Sequence, residues 1–217
     1  MIKKFYKKTG MYIDFDQIKN LPNIDTLIDI GVGPDGTKDL YNNFKNANLI
    51  LIDPIDQAKK YADKLSKKRN VQFFQVGLGK SDNLNKKMKI QKKLGLSSIL
   101  ELSEFNEIDN YTEIKNLKIQ KLDTILKNKK KLGKIGIKID VEGYELDVIL
   151  GAKETLRLTK FVIAEVRHNH ESLKGVYKLH EFIYAMSKNG FTLTKILTAK
   201  PFIADLCFET NKELFRK

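Results

Sequence analysis

Residues 26–36 read TLIDIGVGPDG, and this stretch decides the expected fold. Its first half is an apolar run, so we predict a strand over residues 26–32 that ends in a G-x-G-x-x-G loop. Residues 37–45 follow with the periodicity of a helix. A glycine loop between a strand and a helix lets the backbone approach a ligand closely, and Gly31 and Gly33 are the expected contacts. The alternative is a tight turn that needs glycine only for its positive φ.

The rest of the chain continues the alternation of short apolar runs and longer amphipathic stretches. Further strands are predicted at 48–53, 71–78, 135–141 and 161–166, and further helices at 56–68, 144–156 and 177–189. Residues 86–91 and 118–122 resemble edge strands, 97–110 a loop, and 191–197 and 202–208 an antiparallel pair. The pattern predicts an α/β fold of Rossmann-like form, with a mostly parallel central sheet, helices on both faces and a C-terminal antiparallel strand pair.

Length and cysteine content bound the organisation of the protein. The chain has 217 residues, which suits one domain over residues 1–217 with an N-terminal extension at 1–25. Cys207 lies in an apolar run, and as the one cysteine it cannot form an intrachain disulfide. We find neither a signal peptide nor an apolar run long enough to span a membrane, so we expect a cytoplasmic protein.

The formal charge of +13 raises the question of an anionic partner. The lysines are spread along the whole chain, arginine is scarce, and no basic stretch carries interleaved aromatics. We therefore expect no specific nucleic-acid binding, and a non-catalytic polyanion-binding module remains the alternative. The sequence leaves the oligomeric state open.

Acidic residues around the glycine loop indicate which ligand it holds. Asp29 precedes the loop and Asp35 lies inside it, so both would repel the pyrophosphate of NAD and attract the sulfonium and ammonium groups of S-adenosylmethionine. Asp53, about 20 residues further on, is the expected ribose ligand, or else a helix cap. Gly77 and Leu78, at the end of the third strand, would lie near the adenine. An NAD-dependent oxidoreductase remains an alternative.

A second group of polar residues stands at the ends of the fourth and fifth core strands. Residues 138–145 read KIDVEGYE, and Asp140 and Glu142 project from this strand end. Glu165 and His168 end the next strand. Ligands of open α/β sheets bind at the carboxyl ends of strands, so these four side chains are the candidate catalytic residues.

At these residues the sequence resembles the FkbM methyltransferase family. The resemblance is carried by residues 29–36 and 138–146, with Gly151-Ala152, Leu122-Asp123 and Glu165 in addition, and it spans about residues 27–197. It implies a class I methyltransferase that O-methylates a small-molecule or glycan acceptor, commonly a sugar hydroxyl of a polysaccharide, glycolipid or secondary metabolite. Residues 86–110 suggest no substrate loop, which leaves the acceptor open.

Methyl transfer to an alcohol benefits from a general base. We expect His168 to be that base, since only histidine has an unperturbed pKa near neutrality, with Asp140 and Glu142 positioning the acceptor. The rivals are Asp140 as base, or a divalent metal held by Asp140, Glu165 and His168. We predict no metal, because no sequence spacing requires one. Glu145 and Asp147 at a helix start would complement its dipole, and Arg167 would bind an anionic substrate or pair with Glu142.

Overall fold

The computed structural model describes residues 15–92, 94, 97–101, 111–129, 131–168 and 173–210. Its helices are α1 (Phe15–Ile18), α2 (Lys38–Asn43), α3 (Asp56–Ser66), α4 (Leu122–Leu126), α5 (Glu145–Leu150), α6 (Lys153–Leu158) and α7 (Leu179–Lys188). Its strands are β1 (Thr26–Ile30), β2 (Asn48–Ile52), β3 (Val71–Phe74), β4 (Gly77–Leu78), β5 (Leu84–Gln91), β6 (Tyr111–Gln120), β7 (Ile135–Ile139), β8 (Thr159–Arg167), β9 (Phe191–Ala199) and β10 (Ile203–Thr210).

Seven strands form the central sheet, in the order β3-β2-β1-β7-β8-β10-β9. The first five of these run parallel, whereas β10 is antiparallel to both β8 and β9. The order reverses between β1 and β7, which makes this gap the place where a ligand is expected. The predicted Rossmann-like fold, with its mostly parallel sheet and terminal antiparallel pair, is confirmed.

Apolar side chains cover both faces of the sheet. All residues of β1 and β7 are buried, as strands between two layers require. One face packs Ile28 and Ile137 against α4 to α7, and the other packs Leu27 and Phe161 against α2 and α3. Ile18 of α1 is buried in this second layer, so the segment before β1 contributes to the core. No helix of the described residues is long and apolar enough to cross a membrane.

The predicted third strand, 71–78, is two strands in two different sheets. β3 ends at Phe74, where Val76 N donates to Phe74 O at 3.1 Å and turns the chain. β4 then pairs with β6, which also pairs with β5 in a separate three-stranded sheet. The predicted edge strand 118–122 is thus only the end of a strand that begins at Tyr111. Much of the predicted loop 97–110 lies outside the described residues.

The predicted helix 144–156 is likewise two helices, α5 and α6. Gly151 separates them because the chain passes very close to Gly79: a Cβ at Gly151 would lie 2.1 Å from the Gly79 carbonyl oxygen. Asp123 then caps α6 from outside, since its carboxylate accepts from Glu154 N at 2.9 Å and from Thr155 N at 2.8 Å. Long-range packing therefore overrides the helical periodicity.

Candidate active site

A cavity of about 630 Å³ opens at the carboxyl ends of β1, β2 and β7, where the strand order reverses. This volume suits a ligand of nucleotide size. One wall is built from the strand ends and loops of the central sheet, and the other from the β5–β6 sheet and the segment that follows β5. The lining residues include Gly31, Gly33, Asp35, Asp53, Gly77, Leu78, Met88, Leu94, Ser97, Ile99, Lys138, Asp140, Glu142 and Tyr144.

The glycine loop brings its backbone directly against the cavity. Gly31 has φ +82°, and a Cβ there would lie 1.7 Å from the Asp140 carbonyl oxygen, so only glycine fits. Gly33 has φ +61° and meets no atom within 4 Å of its Cβ position, which leaves this side open toward the cavity. The turn therefore needs glycine for its conformation, and at Gly31 also for close packing.

Asp53 fixes the opposite side of this loop. Its Oδ2 accepts from Gly33 N at 2.9 Å, and its Oδ1 accepts from Ile55 N at 2.8 Å. Burial raises the pKa of Asp53 to about 6, against the lowering effect of these two N–H donors. Each carboxylate oxygen can accept a second hydrogen bond. Asp53 therefore holds the loop and the start of α3 while it still lines the cavity.

Asp29 lies behind the glycine loop and not on the cavity wall. It is buried, and its Oδ2 accepts from Thr37 Oγ1 at 3.0 Å and from the Tyr41 hydroxyl. Burial raises the pKa of the Asp29 carboxyl, and Lys138 works against that rise. Asp29 Oδ1 has no hydrogen-bond partner among the described residues. The predicted contact of Asp29 with the amino-acid end of the ligand stays a prediction.

Glu145 folds the loop that follows β7. Its Oε1 accepts from Val141 N at 3.2 Å and Gly143 N at 2.9 Å, and its Oε2 accepts from the Tyr177 hydroxyl at 2.8 Å. Glu145 is buried, so these bonds replace the water that it loses. The sequence predicts only that Glu145 complements the helix dipole. The structure shows in addition that its carboxylate holds the loop that carries Asp140 and Glu142.

Glu142 adopts φ 51°, a left-handed conformation that is uncommon outside glycine. Ser98 Oγ donates to its carbonyl oxygen at 2.7 Å, and Arg167 pairs with its carboxylate. Burial, and next the charge of Asp140, raise the pKa of Glu142 to about 7. A strained backbone and a raised pKa on a cavity wall are both typical of functional residues.

Glu165 joins Asp140 and Glu142, as the sequence predicts, with ligand atoms of all three within 4.8 Å of one another. Burial, and next Asp140, raise the pKa of Glu165 to about 9, so it keeps its proton at neutral pH. Lys200 Nζ lies 3.7 Å from Glu165 but is half exposed, so water screens its charge. Three such carboxylates could ligate a divalent cation, but two of them already have cationic partners in Lys138 and Arg167.

Comparisons with known proteins identify the family of this chain. The pattern of the methyltransferase FkbM domain matches residues 2–193. The chain belongs to the FkbM methyltransferase family. Its methyl donor is accordingly S-adenosylmethionine, as the sequence predicts.

Several solved methyltransferase structures are similar to this FkbM chain. A putative S-adenosylmethionine-dependent methyltransferase from Listeria monocytogenes has 10% identity and a TM-score of 0.49, over 91% of this chain and 96% of that one. One from Aquifex aeolicus has 12% identity and a TM-score of 0.45, over 90% and 89%. Magnesium protoporphyrin IX methyltransferase from Synechocystis PCC 6803 has 11% identity and a TM-score of 0.45, over 91% and 74%. No curated protein matches the chain.

The residues that the sequence predicts to contact the donor can be compared with the lining of this 630 Å³ cavity. Gly33 leaves open space, Asp53 keeps acceptor capacity for a ribose, and Gly77 and Leu78 line the same cavity. Asp29 does not line this cavity, so it could act on the positive end of a ligand only through the charge of its buried carboxylate. These contacts stay predictions.

His168 does not line the 630 Å³ cavity that contains the glycine loop. Its Nε2 lies 2.9 Å from the Lys200 carbonyl oxygen, and its backbone N donates to Phe202 O at 3.1 Å. The exposed ring borders a different, smaller cavity of about 380 Å³, with Tyr177 and His180. Because hydrogen bonds hold this ring outside the cavity, its position gives no support to the predicted role as general base.

Lys138 is a functional candidate that the structure adds, since the sequence pattern alone indicates no role for it. It is 1% exposed, and its Nζ lies 3.3 Å from Asp140 Oδ2. A lysine inside the apolar run of β7 is a usable signal, because a parallel strand is buried on both faces and a charge there needs partners. The sequence carries no comparable sign that Met88, Leu94 and Ile99 line the cavity, because their position depends on how a separate sheet packs against the central one.

Proposed function

We propose that this FkbM methyltransferase transfers a methyl group from S-adenosylmethionine to a hydroxyl of a sugar, or of a surface-polysaccharide or secondary-metabolite precursor. The observation that carries the proposal is the position of Asp140 and Glu142 on the same cavity as the glycine loop. Carboxylates beside the donor can orient a hydroxyl and accept its proton, which an alcohol acceptor requires near neutral pH.

The donor half of the cavity binds and orients the methyl donor. The glycine loop supplies the backbone surface, Asp53 accepts hydrogen bonds from the ribose, and Gly77 and Leu78 pack beside the adenine. Asp29, behind the loop, favours the positive amino-acid end. When bound, S-adenosylmethionine supplies an electrophilic methyl group on a sulfonium.

The acceptor half holds the hydroxyl and its proton. Asp140, paired with Lys138, accepts a hydrogen bond from the acceptor and orients it. Glu142 takes the proton that the acceptor oxygen loses, because a pKa of about 7 lets it accept a proton and release it again near neutral pH. Glu165 keeps its own proton and so adds no further negative charge to the pair.

The composition of the walls favours an uncharged, polyhydroxylated acceptor. Asp140 and Glu142 would repel a phosphate or carboxylate at the reacting position. Met88, Leu94 and Ile99 give the other wall an apolar surface, with Ser97 among them. A sugar ring suits this arrangement, since its C–H faces pack on apolar side chains while its hydroxyls bond to carboxylates.

The test combines donor binding with labelled methyl transfer. Calorimetry should show binding of S-adenosylhomocysteine and not of NAD. Purified enzyme with methyl-labelled S-adenosylmethionine and a carbohydrate extract of the source cells should give labelled sugars that are O-methylated when analysed by mass spectrometry after hydrolysis. Binding of NAD alone would overturn the donor, and labelling only at nitrogen or carbon would overturn the hydroxyl acceptor.

A further inference from the structure

Lys138 carries a buried ammonium group at the edge of the cavity, since its side chain is 1% exposed and the residue is among those that line the cavity. Lys138 Nζ lies 3.3 Å from Asp140 Oδ2 and 3.9 Å from Asp205 Oδ1, with the Ile139 carbonyl oxygen at 3.4 Å. Burial alone would lower the pKa of Lys138, but the carboxylates of Asp140 and Asp205 raise it above its usual value. The side chain is therefore a fixed cation within the sheet.

Strand register places several carboxylates on the same face as this cation. Asp29 of β1 is the cross-strand neighbour of Lys138, and Glu165 of β8 is the cross-strand neighbour of Asp205. A buried charge is tolerated only where partners compensate it, so Lys138 and these acids depend on one another.

Asp140 and Asp205, the two carboxylates closest to Lys138, differ in their surroundings. Asp205 is fully buried, and its Oδ2 accepts from Thr198 Oγ1 at 2.5 Å, so its contacts lie within the protein. Asp140 keeps a side-chain exposure of 11% and lines the cavity. Lys138 therefore acts on the proposed acceptor site through its contact with Asp140, and not through its contact with Asp205.

We propose that Lys138 is a positioning residue that holds the Asp140 carboxylate in place and offsets its charge, so that Asp140 serves the acceptor hydroxyl and does not bind the donor sulfonium. The inference rests on the proposed function, because it takes the donor to be S-adenosylmethionine in this cavity. Without the ammonium, a carboxylate of this wall would attract the sulfonium more strongly.

The ratio of two binding constants tests this inference without any acceptor. S-Adenosylmethionine and S-adenosylhomocysteine differ by one methyl group and its positive charge, so the ratio of their dissociation constants reports the charge around the sulfur. In Lys138→Met, which keeps chain length but removes charge, we expect the ratio to shift by about tenfold in favour of S-adenosylmethionine. Calorimetry measures both constants on the same preparation.

Matched variants separate this role from a structural one. Lys134→Met removes an equal charge from an exposed position just before β7 and should leave the ratio unchanged. Asp205→Asn removes the other close partner of the ammonium, so it should lower the unfolding temperature while the ratio stays within about twofold. Asp140→Asn should shift the ratio the opposite way, and adding Lys138→Met to it should have little further effect on the ratio.

Several outcomes would overturn the inference. An unchanged ratio in folded Lys138→Met, or an equal shift in Asp205→Asn, would show that Lys138 does not act through Asp140. If Lys138→Met does not fold, Lys138→Arg and Asp140→Asn decide, because the first should keep the wild-type ratio and the second should move it. A wild-type protein that binds neither ligand would refute the proposed function instead, so the two failures are distinguishable.

Discussion

The two halves of the cavity are built in different ways. The half proposed to hold the donor includes a surface of backbone at Gly31 and Gly33, and Gly33 N donates to one carboxylate, Asp53. The half proposed to hold the acceptor has side chains of opposite charge, because Lys138 pairs with Asp140 and Arg167 pairs with Glu142. A donor that is the same in every turnover needs only a fixed surface, whereas proton transfer needs groups whose ionisation is tuned.

The largest effect should come from the acceptor half. Glu142→Gln keeps the size of the side chain but removes the proton acceptor, so we expect methyl transfer to the labelled sugars to fall by about 10²–10⁴-fold. The affinity for S-adenosylhomocysteine should stay within about threefold, because the donor half is unchanged. Initial rates with labelled donor, together with calorimetry, measure the two effects. A variant that keeps full turnover would exclude Glu142 as the base.

The donor half should respond in affinity. Asp53→Ala removes the proposed ribose ligand and the acceptor of Gly33 N, which should weaken binding of S-adenosylhomocysteine by about 1–3 kcal/mol, or roughly 5- to 150-fold. Asp56→Ala is the matched control, since Asp56 is an exposed acid three residues along the chain. Equal losses in both variants would show that general charge, and not the Asp53 contact, holds the donor.

The raised pKa of Glu165 should make the free energy of unfolding depend on pH. The pKa of Glu165 is about 9 in the folded protein against 4.5 as its ordinary value, so between these values the folded state binds one more proton than the unfolded state. Unfolding free energy should therefore fall as pH rises from about 5 to 9, by up to about 1.4 kcal/mol per pH unit from this group.

Glu165→Gln should flatten that slope, whereas Glu154→Gln, at an exposed position, should leave it unchanged. Urea unfolding at several pH values between 6 and 9 measures the slopes. If Glu165→Gln keeps the wild-type dependence of unfolding free energy on pH, the group that binds the extra proton is not Glu165.

The smallest effect is expected at His168, and it distinguishes the sequence-based assignment of the base from the structural one. The ring is bonded to the Lys200 carbonyl outside the cavity, so His168→Ala should change turnover by less than about threefold. A base at this position would instead give a loss of about 10²–10⁴-fold. Methyl-transfer rates at saturating donor decide the matter, and a large loss would return the role of base to His168.

Local pattern was enough to predict the fold and to point to the glycine loop and Asp53, which line the cavity. The strand, glycine loop and helix around Gly31 are contiguous in sequence, and Asp53 follows at the end of the next strand. The acceptor half depends on contacts between distant residues: Ser98 bonds to the Glu142 carbonyl across 44 positions, and Tyr177 to Glu145 across 32. Such contacts leave no periodicity in the sequence, so the hydrogen bonds that Glu145 and Glu142 make could not be predicted from it.

Gly31 fixes how closely the glycine loop approaches the end of β7. Because its Cα packs against the carbonyl of Asp140, with no room for a Cβ, main-chain contact fixes the separation between the donor loop and the acceptor strand. Met88, Leu94 and Ile99 lie on the opposite wall of the cavity. Under the proposed function, substitutions at these three residues would change which acceptor fits and leave the separation between Gly31 and Asp140 as it is.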